Sequence, residues 1–505
     1  FGGNRYLRRT AAVKLRMFTA RDYLFDPMPA QTTNGDEGLH SDYRASFTKA
    51  LPHDNLGEVN TAAYQQLLTG LESGLMSDLE LVQLGGQRKL ANPLGAYKFE
   101  MTGFDSHTTW MRPAPIFAGD ETAAEMGELY WKALCRDVPF ADYSTDPLIA
   151  AAVADLNGFT HAVGPEAVLT PTNIFRGETP GDLDGPYISQ FLVKDIPFGN
   201  TAISQQYVTP GPGDDYMTGG ADWLAIQNGF APPPLVKSNA RYINDARALG
   251  EFVHVDFSYQ AYLSAALIML GIPGSFDDNN LYGSSITQGA FVSLGGPDVL
   301  DLVAKAGELS LTGAWYQKWL VHRRARPEVY GGRLHNQISL VKDYGLPGEI
   351  AMSDGVGRTF ANNGTYFLPM AFPEGSPTHP AYPAGHATIA GACATVLKAY
   401  FKEDLAIPNP VEPDPSGSVL LGYGGTLTLG GEINKLANNI ALGRDWAGVH
   451  YRSDGVDGLL VGEQQAIGML RDYSKTYREM FTGFTLTKFD GTRIQITDGI
   501  VTVLP

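Results

Sequence analysis

Three stretches in the second half of the chain carry apolar side chains at helical spacing, and all three need a partner to bury them. Ile389, Cys393, Val396, Leu397 and Tyr400 share one face of 387–402. Ile433, Leu436 and Ile440 repeat the spacing, as do Val456, Leu459, Leu460, Ile467 and Leu470. Residues recurring every three or four positions line one side of an α-helix, and such stripes leave water by packing on one another. Longer apolar-periodic segments at 245–271 and 309–326 extend the pattern. A mainly α chain with helical-bundle architecture is expected. β structure should be limited to minor hairpins. The tail "KFDGTRIQITDGIVTVL" alternates at period two around two Asp-Gly turns and reads as one small hairpin.

The first half is less regular. Residues 1–21 hold Arg5, Arg8, Arg9, Lys14, Arg16 and Arg21 and no acid, which suits either a solvated tail or an arm for an acidic neighbour. The triple proline at 232–234 is the best boundary. It would divide a mostly helical N-terminal region, 1–235, from a catalytic helical bundle, 236–505, unless the two form one compact unit. The net charge of −17 argues against nucleic acid or an anionic membrane surface as partner. No apolar run reaches the roughly 18 residues of a membrane span, and "AYLSAALIMLGI" at 261–272 reads as a buried helix. A soluble chain is expected. No signal peptide is visible, and the compartment is left open. Two cysteines, Cys135 and Cys393, are too few for a disulfide framework and read as buried thiols.

Three segments carry chemistry. In "KWLVHRRARPE", Lys318, His322 and Arg326 stand at i, i+4 and i+8. One α-helix would hold them within about 80° of each other over a rise of roughly 12 Å, with Pro327 helping to end it. In "HPAYPAGH", His379 and His386 flank a turn fixed by Pro383 and Gly385 that opens into a helix. Amide N–H groups at such a helix start converge on anions. In "GRDWAGVHYRSD", Arg444 precedes His450 by six residues, and Asp454 reads as a helix N-cap. Each segment alone also fits a solvated face or an ordinary turn. Together they supply three cations to a tetrahedral oxyanion, with Arg as a bidentate fork and Lys as a point charge. Two histidines remain for covalent or proton-transfer work. Other motifs fail: "GYGGTLTLGG" does not complete a dinucleotide fingerprint, no G-x-S-x-G elbow occurs, and "PSGS" at 415–418 lacks a histidine. The "FDDNN" cluster at 276–280 reads as a polar loop, with calcium the weaker alternative.

K-x7-RP, P-x-GH and R-x5-H-x3-D, in this order, resemble the signature shared by vanadium-dependent haloperoxidases and type 2 acid phosphatases. The stretches "LPMAFPEGSPTHP", "GHATIAGACATVLKAYF" and "GTLTLGGEINKLANNIALGRDWAGVHYRSD" are similar to bromoperoxidases of the red-algal and cyanobacterial type. The resemblance implies the helical bundle of that family and vanadate as cofactor. It makes His450 the metal ligand and sets Lys318, Arg326, Arg444 and the Gly385 amide on the equatorial oxygens. His386 would take a proton from hydrogen peroxide, and Lys318 would polarise the peroxide for attack by halide. His379 and Trp315 become halide-site candidates, although Trp315 also fits a core position beside Leu311 and Trp319. Ala384 departs from the family, which has serine there. The implied activity is oxidation of halide, bromide first, by hydrogen peroxide to an electrophilic halogen that halogenates small organic substrates. An acid phosphatase and a non-catalytic oxyanion-binding protein are the rivals. A large homo-oligomer is implied, up to a dodecamer.

Overall fold

The computed structural model describes residues 4–505, so the first three residues of the basic arm lie outside the described residues. The helices include, in chain order, α1 (Arg5–Leu24), α2 (Asp120–Cys135), α3 (Ala246–Val255), α4 (Gln260–Leu270), α5 (Gly296–Tyr316), α6 (Pro327–Ile338), α7 (Gly385–Tyr400), α8 (Leu429–Trp446) and α9 (Arg452–Ser474). The three striped segments are α7, α8 and α9, and the expected helical bundle is what forms.

α7 is the central rod. Apart from His386, its residues are buried, because α5, α8 and α9 pack around it. Small residues set the spacing. A Cβ on Gly391 would lie 2.0 Å from the carbonyl oxygen of Leu459, and one on Gly462 would lie 2.0 Å from that of Thr388. α7 and α9 therefore touch backbone to backbone, as only glycine permits. The apolar stripes merge into one core that also draws Trp131, Ile188 and Phe191 from before the triple proline. Cys135 and Cys393 lie in it as free thiols, and burial pushes both pKa values up.

Two expected helices are broken, both beside the site. The 245–271 segment splits because Asp256 turns extended (φ −64°, ψ 148°) after α3 and sends its carboxylate to His386. The 309–326 segment is not one helix either. α5 ends at Tyr316, a π turn spans Gln317–His322, and Arg323 is left-handed (φ 42°, ψ 36°). Arg326 is extended and Pro327 begins α6. Proline's missing N–H costs nothing at a first helical position, and it forces the preceding residue out of the helical region. Pro327 thus starts a helix instead of ending one.

The C-terminal tail is a three-stranded antiparallel sheet, β1 (Phe484–Thr487), β2 (Arg493–Thr497) and β3 (Ile500–Val503), where one hairpin was expected. Both Asp-Gly pairs serve as turns. Asp498 and Gly499 have φ of 49° and 81°, as a tight hairpin turn requires. Phe484, Leu486, Ile494 and Ile496 cover the end of the bundle.

Candidate functional site

The π turn aims Lys318 into the molecule, where its Nζ donates to the carbonyls of Pro380 and Ala381, both at 2.7 Å. Arg326, on the extended residue before α6, reaches the same point. Its Nε donates to His379 O (2.9 Å) and its Nη1 to Val449 O (2.7 Å). Nη1 also lies 2.8 Å from His450 Nε2, and Nη2 lies 3.0 Å from His379 Nδ1. A guanidinium only donates, so both imidazole nitrogens are acceptors. Arg444, in the last turn of α8, donates through Nη1 to Val253 O and stacks 5.4 Å over Phe372. Its Nε is buried with no partner among the described residues.

His450 precedes α9. Its Nδ1 lies 2.8 Å from Asp454 Oδ2, and a carboxylate there makes Nδ1 the protonated nitrogen. The lone pair of Nε2 then faces the cluster. Burial first, then Arg326, Lys318 and Arg444, hold the imidazole pKa well below its usual value. Asp454 is the third residue of α9 and not its N-cap. It also accepts from Tyr451 N (3.1 Å) and Arg324 Nη1 (2.8 Å), so it orients the histidine from behind.

Gly385 opens α7 at the rim, with Ala384 as the preceding cap. Ala384 is fully buried; its N–H donates to Asp454 O (2.8 Å) and its carbonyl accepts from Thr388 N (3.0 Å). His386, one residue into α7, keeps 28 % of its side chain exposed and sets Nε2 3.0 Å from Asp256 Oδ1. Trp315 lies 4.8 Å from the His379 ring, its Nε1 tied to the carbonyls of Ala91 and Asn92. His322 is not in the cluster. The π turn points it the other way, edge-on to Tyr382, where burial pushes its pKa down to about 3. Asp277 and Asp278 are engaged locally, the first with Asn279 N and the second with Lys402.

Charge is the informative quantity. Lys318, Arg326 and Arg444 are 0 %, 0 % and 4 % exposed, and among the described residues none has a carboxylate within 4.0 Å. Arg324, also buried, is by contrast paired with both Glu125 and Asp454. Burial lowers the pKa of Lys318 far below its usual value, that of Arg326 to about 9 and that of Arg444 to about 10. A buried charge costs several kcal/mol unless an opposite charge meets it. Three unpaired cations around an imidazole lone pair fit a compact oxyanion whose central atom can take a nitrogen ligand, and vanadate has that chemistry.

Sequence reasoning missed Asp256. It breaks the apolar pattern of "EFVHVDFSYQAYL", and an acid inside such a run was the available signal.

The description "VCPO second helical-bundle domain" matches residues 302–479, which contain Lys318, Arg326, His379, His386, Arg444 and His450. The vanadium-dependent bromoperoxidase of Ascophyllum nodosum is 38 % identical, the alignment covering 94 % of this chain and 89 % of that one. That of Corallina pilulifera is 34 % identical over 92 % and 94 %. The homohexameric structure of AnII, the second vanadate-dependent bromoperoxidase of A. nodosum, superimposes with a TM-score of 0.93 at 32 % identity, over 98 % of this chain and 91 % of that one. Near-full-length identity of this degree, with the same fold, places this chain in the vanadium-dependent bromoperoxidase family.

Proposed function

We propose that the chain is a vanadate-dependent haloperoxidase that uses hydrogen peroxide to oxidise halide, bromide first, to an electrophilic halogen for small organic substrates. The cluster of buried, unpaired cations facing His450 Nε2 carries this reading. Bound vanadate would supply a Lewis acid that activates peroxide at constant oxidation state.

The protein groups do the rest. His450 would offer Nε2 to the metal, with Asp454 holding the proton on Nδ1. Lys318, Arg326 and Arg444 would hold the oxyanion charge, and the Gly385 N–H at the start of α7 adds a donor. His386 keeps its Nε2 proton toward Asp256, which leaves Nδ1 to accept a proton from hydrogen peroxide. Its partial exposure lets that proton return to solvent. Lys318, steadied by the carbonyls of Pro380 and Ala381, would set its ammonium beside the oxygens where halide is oxidised. Trp315 and His379 form one wall that would strip water from the halide. Assembly with further copies of the chain is part of the proposal, by likeness to homohexameric AnII.

Purified protein loaded with vanadate and given peroxide and bromide should brominate a β-diketone dye, and omission of vanadate should abolish the reaction. Cleavage of phosphate esters without any bromination would support the phosphatase reading instead.

A further inference from the structure

α1 is a 20-residue helix with no buried residue. Its last turn is fastened to the body: the Tyr23 hydroxyl lies 2.8 Å from Asp472 Oδ1 and 3.0 Å from Gly468 O, sharing its one proton between them, and Asp22 pairs with Lys475 at 2.8 Å. The rest carries Tyr6, Leu7, Val13, Met17 and Phe18 at 50–84 % exposure. Helices in proteins draw most of their stability from packing one face, and five large apolar side chains left in solvent mark a contact surface.

Tyr6, Thr10, Val13, Met17, Ala20 and Leu24 follow one another at steps of four and three residues. That is the 3.5-residue period of a helix-packing seam. Leu7, Lys14 and Arg21 flank it on one side, Arg9, Arg16 and Tyr23 on the other. Two copies of α1 set seam to seam in parallel would oppose Arg9 to Lys14 and Arg16 to Arg21. An antiparallel pair would set each basic flank against its own kind. Like charges at these positions destabilise helix pairing. Six basic side chains against Asp22 make α1 +5, which leaves −22 on the remainder of a chain of net charge −17. The remainder of the protein thus carries the opposite net charge to α1 and offers it an electrostatic partner.

We infer that α1 is an assembly arm whose Tyr6–Leu24 seam docks on the acidic body of a second copy of this chain, and not on a second α1. This rests on the reading that the chain assembles with itself. An anionic membrane fits less well, since a helix lying in a bilayer surface buries a broad face and this body would repel the lipid.

Sedimentation velocity of the full chain tests the inference through Arg9→Gln/Arg16→Gln and Val13→Ser/Met17→Ser. Both pairs should weaken assembly, the arginine pair by about tenfold in dissociation constant. Salt at about 0.5 M should reproduce the arginine effect in the unaltered protein. Self-pairing of α1 predicts the opposite sign, because neutralising the flanks would tighten it. An unaltered protein that assembles while both variants sediment identically to it would overturn the inference and leave self-assembly standing. A chain that stays monomeric throughout would overturn both. Binding to phosphatidylserine vesicles that both variants lose, with sedimentation unchanged, would assign α1 to a membrane surface instead.

Discussion

At the scale of single residues, the proposed roles separate vanadate retention from turnover. His450→Ala removes the Nε2 lone pair at the cluster, so the variant should fold and no longer retain vanadate. His386→Ala leaves the cations in place, so vanadate should be retained while turnover falls about 10²–10⁴-fold, the usual worth of a positioned proton acceptor. Equal vanadium content and equal bromination rates in the two variants would refute the assignment. Ala384→Ser adds the hydroxyl that the motif resemblance implies at this position. Ala384 is buried between Asp454 O and Thr388 N, next to the Gly385 amide. A hydroxyl there would add one hydrogen bond to a charged oxygen, worth about 1.5 kcal/mol, so reconstitution titrations should show vanadate held up to about tenfold tighter. Looser binding would move Ala384 out of contact with the cofactor. Most of these residues were legible in the sequence because each motif brackets a backbone feature: a pre-proline arginine, a glycine-opened helix, a histidine just before a helix. Asp256 was not, because it meets His386 across 130 positions of chain, and only the packing of α3 on α8 brings it there.

The elements show where periodicity stops being informative. Apolar stripes located α7, α8 and α9, because their packed faces bury one another, although Leu460 of the α9 stripe stays exposed and Val456 and Ile467 are half-buried. The π turn at Gln317–His322 leaves no such trace. It changes where Lys318 and His322 point without changing which residues are apolar, so it sends one into the cluster and the other to Tyr382. The tail's third strand was missed for a related reason: β3 is exposed along its whole length, so nothing but its pairing with β2 defines it. The α7–α9 contact gives an element-scale prediction. Gly391→Ala or Gly462→Ala would place a methyl group 2.0 Å from a backbone carbonyl oxygen that cannot swing aside. The helices must separate, at a cost of about 3 kcal/mol. Ala384 donates to Asp454 O across this same contact, so vanadate affinity should fall with stability. Lower denaturation midpoints with unchanged vanadate titration would show that the site does not depend on the spacing of these helices.

Across the whole molecule, buried ion pairs join the N-terminal half to the bundle directly behind the site. Glu125, Glu128 and Lys132 project from α2, and they meet Arg324, Arg452 and Asp445. Glu128 is the informative member. Burial alone would raise its pKa, but Arg452 and Lys132 overturn that and hold it at about 2, against 4.5 for a free glutamate. The folded state therefore binds fewer protons than the unfolded chain in this interval. Its contribution is complete above about pH 4.5 and is lost as pH falls toward 2, with a span on the order of 3 kcal/mol. Glu128→Gln should cost about 3–5 kcal/mol near neutral pH, since it leaves Arg452 and Lys132 short of a buried counter-charge. It should also flatten the acid limb, because the group that titrates there is gone. Urea unfolding at about pH 3, 5 and 7 separates the two effects: the unaltered protein should lose stability from pH 5 to 3 more steeply than the variant. Parallel acid limbs for the two proteins would mean that other carboxylates set the acid sensitivity and that the Glu128–Arg452 pair is only packing.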